Sequence, residues 1–325
     1  MVGSIFGKVT GLFDRRFLLG LLLPTLAFSA GVGALIATDL GWGRTISWWH
    51  HLDVSRQVMV AIAAAAGLVF LATVLGTQVV AMTRILEGYW RLRWIDRTVG
   101  TAGRAWQRHR RSRLSGDSSP MGYLRAYLAF APAGSGTLLP TRLGNTLQAA
   151  ESYPGDDERW GLDAVFWWPR LYLIMPASAR EQVDEARVSM DQMVLLSWLS
   201  AAFTLVAAGF GIAGLRLTVW APCAAGALAL SWLCYRAAVV SAAAFGDLVR
   251  SCFDLFRIDL LTHLGWPVPE RMPDERALWR ALGQQLYRRG TSSAEERLIN
   301  GPRRPAAPAT GGRATDDRLR RGGAR

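Results

Sequence analysis

Four nearly unbroken apolar stretches dominate the chain: Phe17–Thr38, Val58–Thr83, Met193–Gly214 and Thr218–Phe245. At ~1.5 Å of rise per helical residue, roughly twenty such residues cover the ~30 Å hydrocarbon core of a bilayer. The pattern predicts an all-α membrane protein with four transmembrane helices and a mainly helical cytoplasmic unit between the second and third. A hydrophobic content of 51% is possible for a soluble protein too; its concentration into long blocks selects the membrane class. The expected organisation is an N-terminal segment over 1–16, a hairpin over 17–83, the cytoplasmic unit over 84–192 and a second hairpin over 193–245. Amphipathic helices over 246–290 and a disordered basic tail over 291–325 complete it.

Between and after the spans the pattern is helical in pieces. Ile85–Trp106 sets Leu86, Tyr89, Trp90 and Leu92 among arginines and predicts a helix running on from the second span. Arg113–Pro120 has the composition of a loop, whereas Tyr123, Leu124, Tyr127, Leu128 and Ala131 recur at helical spacing. Ala133–Gly136 supplies a joint, without the Gly-Lys-Ser/Thr that would make its Gly134-Ser135-Gly136 a phosphate loop. A helix is expected over Thr141–Ser152, then an acidic turn at Asp156, Asp157 and Glu158. The twelve apolar residues from Ala164 to Met175 are too few to span, which makes them interfacial or protein-buried. Ser178 and Glu181 have capping-box spacing and predict the start of a helix leading into the third span.

After the fourth span, Asp247, Arg250, Asp254 and Arg257 alternate in sign at helical spacing. That predicts side-chain bridges along one face of a continuing helix. Pro267 and Pro269 break it, and Leu278, Leu282 and Leu286 form the stripe of a last helix over Asp274–Leu286. Gly301–Arg325 has too little apolar surface to order.

Charge sets the orientation. The net +12 is concentrated in Arg84–Arg113 and Gly301–Arg325. Lys8, Arg15 and Arg16 before the first span, and Arg84, Arg91, Arg93 and Arg97 after the second, place both ends of the first hairpin inside. Arg250 and Arg257 do the same for the second hairpin. Both termini are then cytoplasmic in a plasma (inner) membrane, with Trp42, Trp48, Trp49 and Trp220 at the outer interface. A cleaved export signal is the rival reading of the first span, but its apolar run exceeds what a signal core needs. Arg91, Arg93, Arg97, Arg108, Arg110 and Arg111 are expected to face anionic headgroups, at roughly 1 kcal/mol each. A basic, aromatic-rich stretch can also bind nucleic acid; topology alone requires a juxtamembrane Arg cluster, so no nucleic acid is expected. Arginine is used almost to the exclusion of lysine, which fits oxyanion recognition and, more simply, a GC-rich coding bias.

Candidate chemistry is sparse. His50, His51 and Asp53 make a poor chelate without further ligands, and no cofactor or metal is expected. Arg236 interrupts the fourth span, where an ionisable group raises a functional-site hypothesis. A transport reading sets it beside Gln78 or Asp247 in a cavity, whereas the simpler one lets it snorkel at the inner boundary. Asp156, Asp157, Glu158 and Asp163 read as a solvated turn. Cys223 and Cys234 lie about 16 Å apart along one helix, too far to bridge. Small faces at Gly31, Gly33, Ala63–Gly67 and Ala224–Gly226 suit close helix packing and a possible homo-oligomer.

Several segments together resemble a group of bacterial multi-span membrane proteins. These are Thr141-Arg142-Leu143-Gly144-Asn145, Tyr153-Pro154, Gly161-Leu162-Asp163, Trp168-Pro169-Arg170-Leu171 and the run Phe245–Leu261, with Gly265-Trp266-Pro267-Val268-Pro269 after it. The resemblance covers roughly Leu139–Leu282 and implies no activity. From the residues, the leading expectation is a non-enzymatic scaffold on which Asp156, Asp157, Trp167, Trp168 and Arg170 recruit a cytoplasmic protein. Alanine at the two tryptophans and Arg170 is then expected to release that partner without unfolding the chain. The alternative is a subunit of an oligomeric channel or transporter using Arg236. An enzyme is the third reading, without a visible nucleophile–base pair or ligand set.

Overall fold

The computed structural model describes residues 17–90, 92–132, 137–156 and 159–288. Those residues are helical, without a strand among them. Four helices are long and apolar enough to cross a membrane. They are α1 (Leu23–Leu40), α3 (Val54–Glu87), α9 (Ala177–Ile212) and α10 (Leu217–His263). A π-helical stretch, Leu18–Leu22, leads into α1. The connection between α1 and α3 carries a short helix, α2 (Trp42–His50), with Trp42, Trp48 and Trp49 exposed on it.

α9 and α10 form the central hairpin, turned at Gly214, whose φ of 111° belongs to the left-handed region that glycine tolerates. Mid-span, Ser197 Oγ donates to the Ser231 carbonyl at 3.1 Å and Ser231 Oγ donates to the Ser197 carbonyl at 2.9 Å. Each hydroxyl thus finds an acceptor where no water is available. α1 lies against α9, where Phe203 packs over Gly31 and meets Phe28 edge-on. α3 joins through its C-terminal half: Met82 and Leu86 pack on Leu143, Met190, Val194, Ala238 and Ala242. Trp198 Nε1 donates to the Met82 carbonyl at 3.3 Å.

The remaining helices wrap the ends of α9 and α10 that project from the bundle. They are α4 (Arg93–Ile95), α5 (Thr101–Ser115), α6 (Pro120–Ala129), α7 (Arg142–Ser152), α8 (Ala164–Ile174) and α11 (Met272–Gly283). A π-helical stretch, Asp96–Gly100, joins α4 to α5. Side-chain caps start three of these helices: Ser119 accepts from Gly122 N, Thr141 from Gly144 N and Asp163 from Phe166 N, each satisfying one orphan donor. Their core centres on Trp167, Leu171, Phe253, Leu261 and Trp279, with the Trp167 and Trp279 rings 5.0 Å apart and edge-on.

Four sequence expectations are corrected. The second span does not run on into the Arg-rich helix: α3 stops at Gly88, with φ 98°, and a new helix begins at Arg93. Ser178 makes no cap: α9 starts at Ala177 with Pro176 in the N-cap position, so Ser178 already lies inside the first turn. The alternating charges of α10 do not bridge one another: Asp254 accepts from Tyr153, Arg257 pairs with Glu275 and Arg250 donates to the Tyr127 carbonyl. The last helix buries Glu275, Trp279 and Leu282, leaving Leu286 exposed. Ala133–Gly136, Asp157, Glu158 and the basic tail lie outside the described residues.

Candidate functional site

The Thr141–Asn145 segment is a clamp between the membrane bundle and the helices outside it. Thr141 caps α7 and also donates through Oγ1 to the Glu87 carbonyl at 2.8 Å, the last residue of α3. Gly144 faces the same carbonyl so closely that a Cβ would collide with it. Asn145, 1% exposed, closes the preceding turn: its Oδ1 accepts from Leu139 N, and its Nδ2 donates to the carbonyls of Leu139 and Thr141. At the other end of α7, Ala150 abuts Gly246 of α10.

Beyond the clamp, three arginines lie over three aromatic rings. The Arg250 guanidinium is 4.5 Å from the Tyr127 ring centroid, Arg159 3.9 Å from Tyr153, and Arg257 4.4 Å from Trp160. The rings touch edge-on in the order Tyr127, Tyr153, Trp160, at 6.0 and 5.8 Å. Tyr153 Oη donates to Asp254 at 2.9 Å and accepts from Arg159 Nη1 at 2.8 Å. Burial first, and then Asp254, push the phenol's pKa up from its ordinary 10.0, so it remains a donor at neutral pH. Arg257 pairs with buried Glu275 at 3.0 Å, and Trp279 Nε1 donates to the same carboxylate oxygen. Tyr127, Tyr153 and Trp160 line an open cleft of about 470 Å³, with Tyr123, Arg111 and Arg159 also on its walls and Asp156 at its edge.

The expected recruiting segment divides between core and surface. Trp167 is 1% exposed and packed on Trp279; it belongs to the core, which corrects the expectation that it meets a partner directly. Trp168 is half-buried against Phe253. Arg170 folds back along α8, stacking on Phe166 at 3.8 Å and donating to that residue's carbonyl. The outward face of α8 is Val165, Pro169 and Leu173, one helical turn apart from each other.

The basic band also divides. Arg93, Arg97 and Arg108 are exposed, while Arg91 lies outside the described residues. Arg110 and Arg111 turn inward, correcting their expected place at the headgroups. Arg110 stacks on Phe130 at 5.2 Å, and burial lowers its pKa; Arg111 donates to the Ala131 carbonyl at 3.1 Å. Arg236 and Gln78 are both on outward faces of the bundle, Arg236 over the exposed Trp232 ring at 5.0 Å and Gln78 bonded to Thr77. The structure does not bring them together.

Sequence reasoning missed the cleft because its walls come from α5, α6, Ala149 of α7, the residues Tyr153, Asp156, Arg159 and Trp160, and Met272 of α11. No local motif joins these. The available signal was the repeated occurrence of arginine near tyrosine and tryptophan in separate segments.

The fold defines an all-helical protein with four helices suited to crossing a membrane and a helical unit built on two of them. No protein family, curated protein or solved structure matches this chain.

Proposed function

We propose that the protein is a membrane-anchored scaffold whose helical unit holds a cytoplasmic protein at a fixed distance from the bilayer. The supporting observation is an exposed apolar ridge on α8, formed by Val165, Pro169 and Leu173, with the two aliphatic side chains 71% and 76% exposed. Its position argues against lipid as the occupant. Between Ala177 and Gln192, α9 rises about 24 Å at ~1.5 Å per residue before entering the apolar span. The ridge lies at the far end of that rise, where exposed apolar side chains face water and mark a protein contact. A flanking arginine, Arg170, suits an amphipathic partner helix carrying a carboxylate at the edge of its apolar face.

A second set of exposed apolar groups sits where α3 ends. Leu92, Trp94 and Val99 accompany exposed Arg93 and Arg97 there. Trp and Arg together at that depth fit anionic headgroups at the inner interface. The two sets then serve two partners, lipid at the bundle and protein at the far end. The transport reading has less support, since outward-facing Arg236 and Gln78 would need neighbouring copies to form a path.

Crosslinking in native membranes, followed by affinity purification, tests the scaffold. Val165→Ser with Leu173→Ser is expected to lose a stoichiometric partner while the protein keeps its unfolding temperature. Retention of that partner by the double variant, or its absence from the wild type, would sink the reading.

A further inference from the structure

Arg250 is a buried charge with few hydrogen bonds. It is 2% exposed, yet its Nε and Nη1 have no hydrogen-bond partner. Nη2 alone is used, donating to the Tyr127 carbonyl at 3.2 Å. Of its acidic neighbours on α10, Asp247 acts on it through space without a hydrogen bond, and Asp254 is engaged by Tyr153. Removing an ion from water costs several kcal/mol unless partners replace the solvent. The Tyr127 and Tyr153 rings, at 4.5 and 5.9 Å from the guanidinium, offset part of that through their negative faces.

Those same two rings are walls of the 470 Å³ cleft. Two cations line it, Arg111 and Arg159, while Arg250 lies behind the rings. Arg159 uses Nη1 on Tyr153, and Arg111 uses Nη2 on the Ala131 carbonyl; each guanidinium has five N–H donors and a planar fork suited to oxyanions. Beside these two arginines the lining carries one carboxylate, Asp156. The walls include the rings of Tyr123, Tyr127, Phe130, Tyr153 and Trp160. Volume, aromatic lining and a few convergent polar groups match small-molecule sites.

We propose that this cleft binds a small organic anion: a planar apolar body carrying a phosphate or carboxylate. The oxyanion meets Arg159 and Arg111, the planar body lies among the tyrosines, and Arg250 beneath contributes positive potential without contact. This site is separate from the α8 ridge and stands whether or not a protein docks there.

Calorimetric titration of the purified full-length protein in detergent tests it, with phenyl phosphate, phthalate and benzylamine as probes. One equivalent of phenyl phosphate or phthalate is expected to bind with a submillimolar Kd, and whichever binds tighter separates a phosphate source from a carboxylate one. Arg159→Gln removes charge-assisted donors and is expected to weaken binding about tenfold. Tyr123→Ala, on an exposed wall residue whose loss leaves the core intact, is expected to weaken binding without lowering the unfolding temperature. The proposal is overturned if neither anion binds below about 10 mM, if both variants bind as the wild type does, or if benzylamine binds as tightly as the anions.

Discussion

At Gly144 the first turn of one helix ends against the last carbonyl of another. A methyl group there collides with Glu87 O, so Gly144→Ala must push α7 away from α3 and break the Thr141 hydrogen bond as well. Thermal unfolding in detergent is expected to register a loss of about 1–3 kcal/mol, the usual range for overpacking. Tyr153 gives a pH-dependent counterpart. Its folded pKa is raised, so the folded protein keeps a proton that the unfolded chain releases near 10.0. The stability it contributes is therefore complete below that pH and is lost as the pH rises through the folded value. Tyr153→Phe is expected to cost about 1 kcal/mol at neutral pH and to flatten the alkaline decline; an unchanged decline would assign it to another group. At this scale the sequence was partly legible. The Thr141–Asn145 and Tyr153-Pro154 segments stood out as a pattern, but their roles depend on Glu87 and Asp254, residues far away in the chain.

Element by element, α8 carries the sharpest contrast. Its residues alternate between a core face, with Trp167 and Leu171, and an open face, with Val165, Pro169 and Leu173. Trp167→Ala leaves a cavity beside Trp279 and is expected to destabilise by about 3–5 kcal/mol, whereas serine at Val165 or Leu173 should change stability by no more than about 0.5 kcal/mol. Comparing the denaturation midpoints of the three variants checks both statements at once. The length and apolar character of this segment announced an element too short to span. Which tryptophan turned inward did not follow, since Trp167 and Trp168 are adjacent and equally apolar. The break at Gly88 was missed for a related reason. Helical periodicity continues through it, and what stops α3 is the packing of Pro140 against a glycine in the left-handed region.

For the whole molecule, the four long apolar helices were the most legible feature, because bilayer thickness sets a minimum run that soluble helices seldom meet. In a background without Cys223, Cys234 and Cys252, a cysteine at Trp48 is expected to react with an impermeant maleimide from outside intact cells. A cysteine at Glu270 should react only after permeabilisation, and the opposite pattern would invert the topology.

The continuity of α9 and α10 has a mechanical consequence. Neither helix is interrupted between its membrane-crossing part and the unit wrapped around its far end, and the Thr141–Glu87 clamp ties α3 to that unit. The pair is a stiff lever with its fulcrum where the two helices leave the membrane-crossing part. Helices adapt to bilayers of different thickness chiefly by tilting. A tilt of about 10° carried along ~24 Å of projecting helix displaces the tip by roughly 4 Å. Lipid composition is thereby converted into the position of whatever the far end holds.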